Sequence, residues 1–217
     1  MSGIKVYTKR EERVNYLTHA FGVLVAVGAA IYLIQKSVIA DNGWAIFAYS
    51  IYGFGMLMCM LSSTLYHYIQ EPKTKKILRH IDHGNIYLQI ATSYSPVTLI
   101  LLREHGIWGW LIFGLVWFFA FVGILLNFRE LKPNNNLKTA FYVVISSTIF
   151  IAIKPTIDVC RVQDCLSILY WLIIGGVFYI AGTFFYASKK EFMHAIFHIF
   201  VLLGLISHII SAASIPL

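Results

Sequence analysis

His194 and His198 stand four residues apart in the stretch from Glu191 to Ile210, which is long and apolar enough to cross a bilayer. On a helix both imidazoles leave one face, the spacing by which a helix offers two nitrogen ligands to one zinc ion. His208 follows 14 residues after His194, about 21 Å along a helix axis, and cannot share that ion. Partners must therefore come from other segments. His67 closes an earlier apolar run, and Asp82 opens the next one after a short basic loop. Ser63 lies four residues before His67, one turn deeper on the same face. Three histidines would give zinc three neutral nitrogens and leave a fourth position for water, with a carboxylate beside it to orient that water or take its proton. Each residue also has a plainer reading. A bare His-x-x-x-His is a weak signal, Asp82 suits a helix N-cap, and Ser63 suits a back-bond within its own helix. Their convergence on one level favours the metal.

That convergence depends on the elements carrying them. Of 217 residues, 59% are hydrophobic and 12% charged, with a mean hydropathy of +0.72. This excludes an ordinary soluble domain, which needs about twice that charged fraction to cover its surface. The apolar residues fall in runs that predict seven transmembrane helices, over 17–36, 44–67, 84–102, 107–128, 138–153, 166–187 and 194–214. The fold class is all-α, a single seven-helix membrane domain over 1–217. Thr8 and Glu11 fit a capping box, so a short interfacial helix over 8–16 leads into the first span. The first span is long enough to be retained and is not a cleavable signal peptide. Gly43, Pro72, Gly106, Pro133 and Pro155 mark edges, whereas Pro96 sits inside the third span and should kink it or free a carbonyl.

The net charge of +7 reads as the lysine and arginine excess of cytoplasmic loops and not as a nucleic-acid surface. One side carries Lys5, Lys9, Arg10, Arg13, Lys73, Lys75, Lys76, Arg79, Arg129, Lys132, Lys138, Lys189 and Lys190. The other carries Lys36, Arg103, Lys154 and Arg161. The N-terminus is thus expected in the cytoplasm and the C-terminus outside, which puts His67, Asp82, His194 and His198 at the cytoplasmic level. Glu12, Asn15 and His19 form one polar stripe entering the first span there, either a rim around the metal or the face of an interfacial helix. Asn85, Gln89, Thr92 and Pro96 form a stripe that should face the bundle interior, where interhelical hydrogen bonding is the leading explanation. His80 and His83 read as solvated, Trp44, Trp108 and Trp110 as interfacial anchors, and Cys160 and Cys165 as sharing one loop, bridged or not.

The segments Glu11-Glu-Arg-Val-Asn15-Tyr-Leu-Thr18-His19-Ala-Phe-Gly22, Ser63-Thr-Leu-Tyr-His67, Asp82-His-Gly-Asn-Ile-Tyr87 and His194-Ala-Ile-Phe-His198 occur in that order. Together they resemble the bacterial hemolysin III branch of the progestin and adipoQ receptor family, over nearly the whole chain. The resemblance implies seven helices and a cytoplasmic-side zinc held by His67, His194 and His198. It also implies that Asp82 contacts the zinc through water, with Ser63 in support. The superfamily includes alkaline ceramidases, so it implies hydrolysis of a lipid amide. The first reading here is hydrolysis of an amide or ester of a membrane lipid, with Asp82 as proton acceptor and Ser63 beside it as the catalytic residues. The alternative is a non-enzymatic cytolysin, channel or receptor-like regulator of the membrane with a structural zinc. In either case the partners are membrane lipids and the location is the cell membrane.

Overall fold

The computed structural model describes residues 7–128, 137–188 and 190–217. Among them run eight α-helices: α1 (Lys9–Ile39), α2 (Gly43–Tyr68), α3 (Pro72–Pro96), α4 (Trp108–Asn127), α5 (Leu137–Ser146), α6 (Ile153–Val162), α7 (Ser167–Ala187) and α8 (Met193–Ala213). A π-helical turn, Val97–Leu101, follows α3, and a 3-10 segment, Ser147–Ala152, joins α5 to α6. Six helical stretches are long and apolar enough to cross a membrane: α1, α2, α4, the run Ala140–Val162, α7 and α8. Their outward side chains, such as Leu24, Phe184 and Ile180, are exposed, as a lipid-facing surface requires. The chain is an all-α, multi-pass protein of the cell membrane.

The segment expected as the third span is the second half of α3 with the π turn. It is not one of the six because α3 is polar along its length, from Lys73, Lys75, Lys76 and Arg79 through His80, Asp82, His83, Asn85 and Gln89. Pro96 removes one donor from the helical ladder, and the chain answers with wider π geometry in the next turn. The fifth span was expected to stop at 153, yet helix continues to Val162. Lys154 and Pro155 read as a loop, but Pro155 sits in the first turn of α6, where no N–H is needed. Cys160 is therefore helical and not in a loop, and Cys160 and Cys165 are free, buried thiols. Of the charges and edges invoked above, Lys5, Arg129, Lys132, Pro133 and Lys189 lie outside the described residues.

Capping fixes the starts that matter. Thr8 Oγ1 accepts from Glu11 N (3.2 Å) and the Glu11 carboxylate accepts from Thr8 N (2.9 Å), closing the expected capping box. The leader then continues into the first span without a break. Glu71 caps α3 ahead of Pro72, and hydrogen bonds from the Thr74 hydroxyl and from the Thr74 and Lys73 amides hold its carboxylate below its ordinary pKa.

Helices α1, α2 and α8 share one core, built around Leu33, Tyr49, Tyr52, Met56, Met60 and Leu205. Gly22 lets α1 approach closely: a methyl group there would lie 2.5 Å from the Met60 sulfur and 2.7 Å from Leu202. The N-terminal turns of α1 and α8 meet where Phe192 N donates to Glu11 Oε1 (3.1 Å). Their C-terminal ends meet where Lys36 Nζ donates to the Ala213 and Ile215 carbonyls, both at 2.7 Å. The two helices therefore run parallel, and the first turns of α1, α3 and α8 sit at the same end as the last turn of α2.

Candidate metal centre

His67 comes from the last turn of α2, and His194 and His198 from the first two turns of α8. All three are buried, and one ring nitrogen from each lies within 4.8 Å of the others. His194 Nε2 is 3.3 Å from His67 Nε2 and 3.1 Å from His198 Nε2. In a tetrahedral site with metal–nitrogen bonds of about 2.0–2.1 Å, neighbouring nitrogens stand about 3.3 Å apart. The spacing suits one ion.

The opposite ring nitrogens decide which lone pairs face inward. His67 Nδ1 donates to Glu12 Oε2 (2.6 Å), and His198 Nδ1 donates to the backbone carbonyl of Asn15 (3.2 Å). Each bond fixes the Nδ1–H tautomer and leaves Nε2 as a lone pair aimed at the centre. Two such lone pairs face a third nitrogen that carries at most one proton, so hydrogen bonding alone cannot satisfy the trio. A cation can. The carboxylate–histidine and carbonyl–histidine pairs are those that orient metal ligands elsewhere.

Glu12 is held in turn by Lys75 Nζ (2.7 Å to Oε1), which also donates to the Tyr66 carbonyl (3.1 Å) at the end of α2. The polar stripe of α1 thus faces the centre: Glu12 and Asn15 touch its histidines, and His19 stacks on His198 with ring centroids 3.8 Å apart. Tyr7 stacks on His194 at 4.9 Å and meets His67 edge-on at 5.6 Å. Burial there pushes its hydroxyl above the ordinary pKa. Lys75 and Tyr7 carried no local sequence signal. Lys75 counted only as a loop charge, and its partner lies 63 residues away.

Asp82 is not part of the three-histidine group. It lies on α3, ten residues past Pro72, with Ser63 of α2 as its polar neighbour. Tyr66 from α2 and Tyr186 from α7 lie within electrostatic reach of it. Of the other histidines, His80 is not simply solvated: its Nδ1 lies 3.2 Å from the Asn127 carbonyl at the end of α4. The His83 carbonyl accepts from the Tyr142 hydroxyl (3.0 Å). His105 is exposed beyond the other end of the bundle, and His208 packs against Tyr179 of α7. The third-span stripe is buried: Asn85 Nδ2 donates to the Met58 carbonyl (3.1 Å), and Thr92 is fully enclosed.

A family model described as "Haemolysin-III related" matches residues 7–209. The chain belongs to the haemolysin-III related family. It is 38% identical over 200 residues to a "Hemolysin-3 homolog" of Bacillus subtilis (strain 168), covering 92% of this chain and 91% of that protein. It is 34% identical over 196 residues to "Hemolysin-3" of Bacillus cereus, covering 90% and 87%. A more distant relative, "Heptahelical transmembrane protein 1" of Arabidopsis thaliana, is 23% identical over 236 residues, covering 95% of this chain and 70% of that protein. The histidine cluster is therefore a candidate metal centre within a haemolysin-III family protein.

Proposed function

We propose that this haemolysin-III family protein binds one zinc ion through His67, His194 and His198 and uses it to hydrolyse an amide or ester of a membrane lipid. What carries the reading is the convergence of three buried imidazole nitrogens at ligand spacing, two of them backed by acceptors on the far side of the ring. Zinc, when bound, would polarise a carbonyl and acidify a water in its open position. Asp82, outside the three-histidine group, would be the proton acceptor beside the centre and not one of its ligands. Ser63 would donate to the Asp82 carboxylate and orient it. Glu12 and the Asn15 carbonyl hold His67 and His198 in place, while Tyr7 and Phe197 cover His194 with apolar rings. The single-domain reading of 1–217 belongs to the same proposal.

The second reading is a cytolysin or channel in which zinc only pins the helices. The names of the Bacillus relatives favour it, as do buried polar groups inside the bundle. Gln89, Tyr52 and Ser95 have side-chain atoms with no hydrogen-bond partner among the described residues. Purified protein in lipid vesicles separates the two. Lipid product detected by mass spectrometry without dye leakage supports the hydrolase, whereas leakage without product supports the pore.

Seven crossings, with the N-terminus inside and the C-terminus outside, complete the reading. It is supported by the parallel course of α1 and α8, by the basic residues gathered at the histidine end, and by the name of the Arabidopsis relative. Cysteine labelling at Ser2 and Leu217 in intact cells is expected to reach only position 217. Equal labelling at both ends would overturn the topology.

A further inference from the structure

Cys160 and Cys165 meet across the turn that ends α6. Gln163 N donates to the Val159 carbonyl (3.0 Å), and Cys165 N donates back to the Cys160 carbonyl (2.8 Å). Between them Asp164 takes the left-handed conformation, at φ 51°. A bond from a sixth residue to the first, around a left-handed fifth, is the Schellman ending of a helix. It brings the side chains of its first and sixth positions into contact. Both of those positions are cysteines here. Cys160 is fully buried and Cys165 3% exposed, in one apolar cluster with Val97, Leu101, Ile168 and Ile215. The Cys165 thiol is the polar neighbour of the Cys160 thiol. The residues between them, Arg161 to Asp164, are exposed, so an oxidant reaches the pair once this turn opens.

The turn lies far from the histidines. The Ser211 hydroxyl in the last turn of α8 donates to the Ile168 carbonyl in the first turn of α7 (3.0 Å). Ser211 stands 17 residues past His194, about 25 Å along the helix. In the topology proposed above, that end faces outward, away from the cytosolic reductants that keep thiols open. Cys59, the remaining cysteine, is buried in the separate core of α1, α2 and α8.

We propose that Cys160 and Cys165 close into a disulfide that staples the end of α6 to the start of α7 at the outer face. The co-reactant is a disulfide-bearing oxidant of the outer compartment. One cysteine thiolate attacks a sulfur of that disulfide and expels a thiolate. The second cysteine then attacks the mixed bond and expels the other. Two electrons and the two thiol protons pass to the oxidant, which leaves as a pair of thiols. The inference takes its outer position from the topology above and does not depend on the metal or on hydrolysis.

The test quenches cells making the full chain in acid and alkylates thiols with N-ethylmaleimide under denaturing conditions, before and after reduction. Trypsin cuts after Arg161, so a bridge holds two peptides together until it is reduced, and mass spectrometry reads the linked pair. Alkylation before reduction is expected to be about tenfold or more lower at Cys160 and Cys165 than at Cys59. In Cys165→Ser, Cys160 should be alkylated as fully as Cys59, with zinc content at the wild-type level. Purified wild type, reduced and then given oxidised glutathione in detergent, should form the same linked peptides. Alkylation of both cysteines in cells as complete as that of Cys59 would overturn the disulfide. If oxidised glutathione then closes the pair, the outer position of the turn is what failed. If it does not, the juxtaposition of the two thiols failed.

Discussion

His198→Ala is expected to strip the metal from the purified protein. His198 supplies a nitrogen 3.1 Å from that of His194, and its Nδ1–H is anchored on the Asn15 carbonyl. Removing it leaves two imidazoles, and two neutral nitrogens do not hold zinc against the loss of the third. Bound metal should fall from about one equivalent per chain to about a tenth or less after gel filtration. His198 is also 1% exposed and stacked on His19, so truncation leaves a cavity costing about 2–4 kcal/mol on the scale of buried large-to-small changes. His208→Ala provides the control, because His208 packs on Tyr179 at the other end of α8. It should keep its metal. Full metal in His198→Ala would mean that the centre is built from other residues.

Asp82→Asn is expected to abolish lipid hydrolysis while leaving the metal in place. The side chain keeps its size and a hydrogen-bonding oxygen for Ser63 but no longer accepts a proton near neutral pH. Removal of a general base lowers turnover by about 10²-fold or more. Asp82 lies outside the three-histidine group, so zinc content should stay within experimental scatter of wild type. Turnover is read by mass spectrometry of lipid vesicles, with dye leakage recorded beside it. Unchanged turnover in Asp82→Asn would remove the carboxylate from the reaction. Leakage in both proteins with no product in either would favour the pore.

Much of the centre was legible because its parts obey local rules. Thr8 and Glu11 announce the start of α1, and His194 and His198 share a face at four-residue spacing. His67 closes one apolar run and Asp82 opens the next, which brings the two to one level. The remainder depended on contacts between distant segments, which no local pattern encodes. Glu12 could have been rim or interface until its carboxylate was seen between His67 and Lys75. Glu11 serves its capping box and also accepts from Phe192 N, fixing the register of α8 against α1. Hydropathy misjudged two boundaries for a related reason. The basic first turns of α3 and the Lys154–Asp158 pair of α6 look like loops, yet Glu71 and Pro72 start one helix and Pro155 is tolerated at the start of the other.

The central claim is that three imidazoles close on one metal ion, and zinc K-edge absorption spectroscopy of the wild-type protein, with zinc quantified on the same sample, tests it most directly. The proposed zinc site predicts about one zinc per chain, with three nitrogen scatterers and one oxygen at about 2.0–2.1 Å. Protein purified without chelator that holds no zinc, or holds it with sulfur or mainly oxygen neighbours, would contradict it.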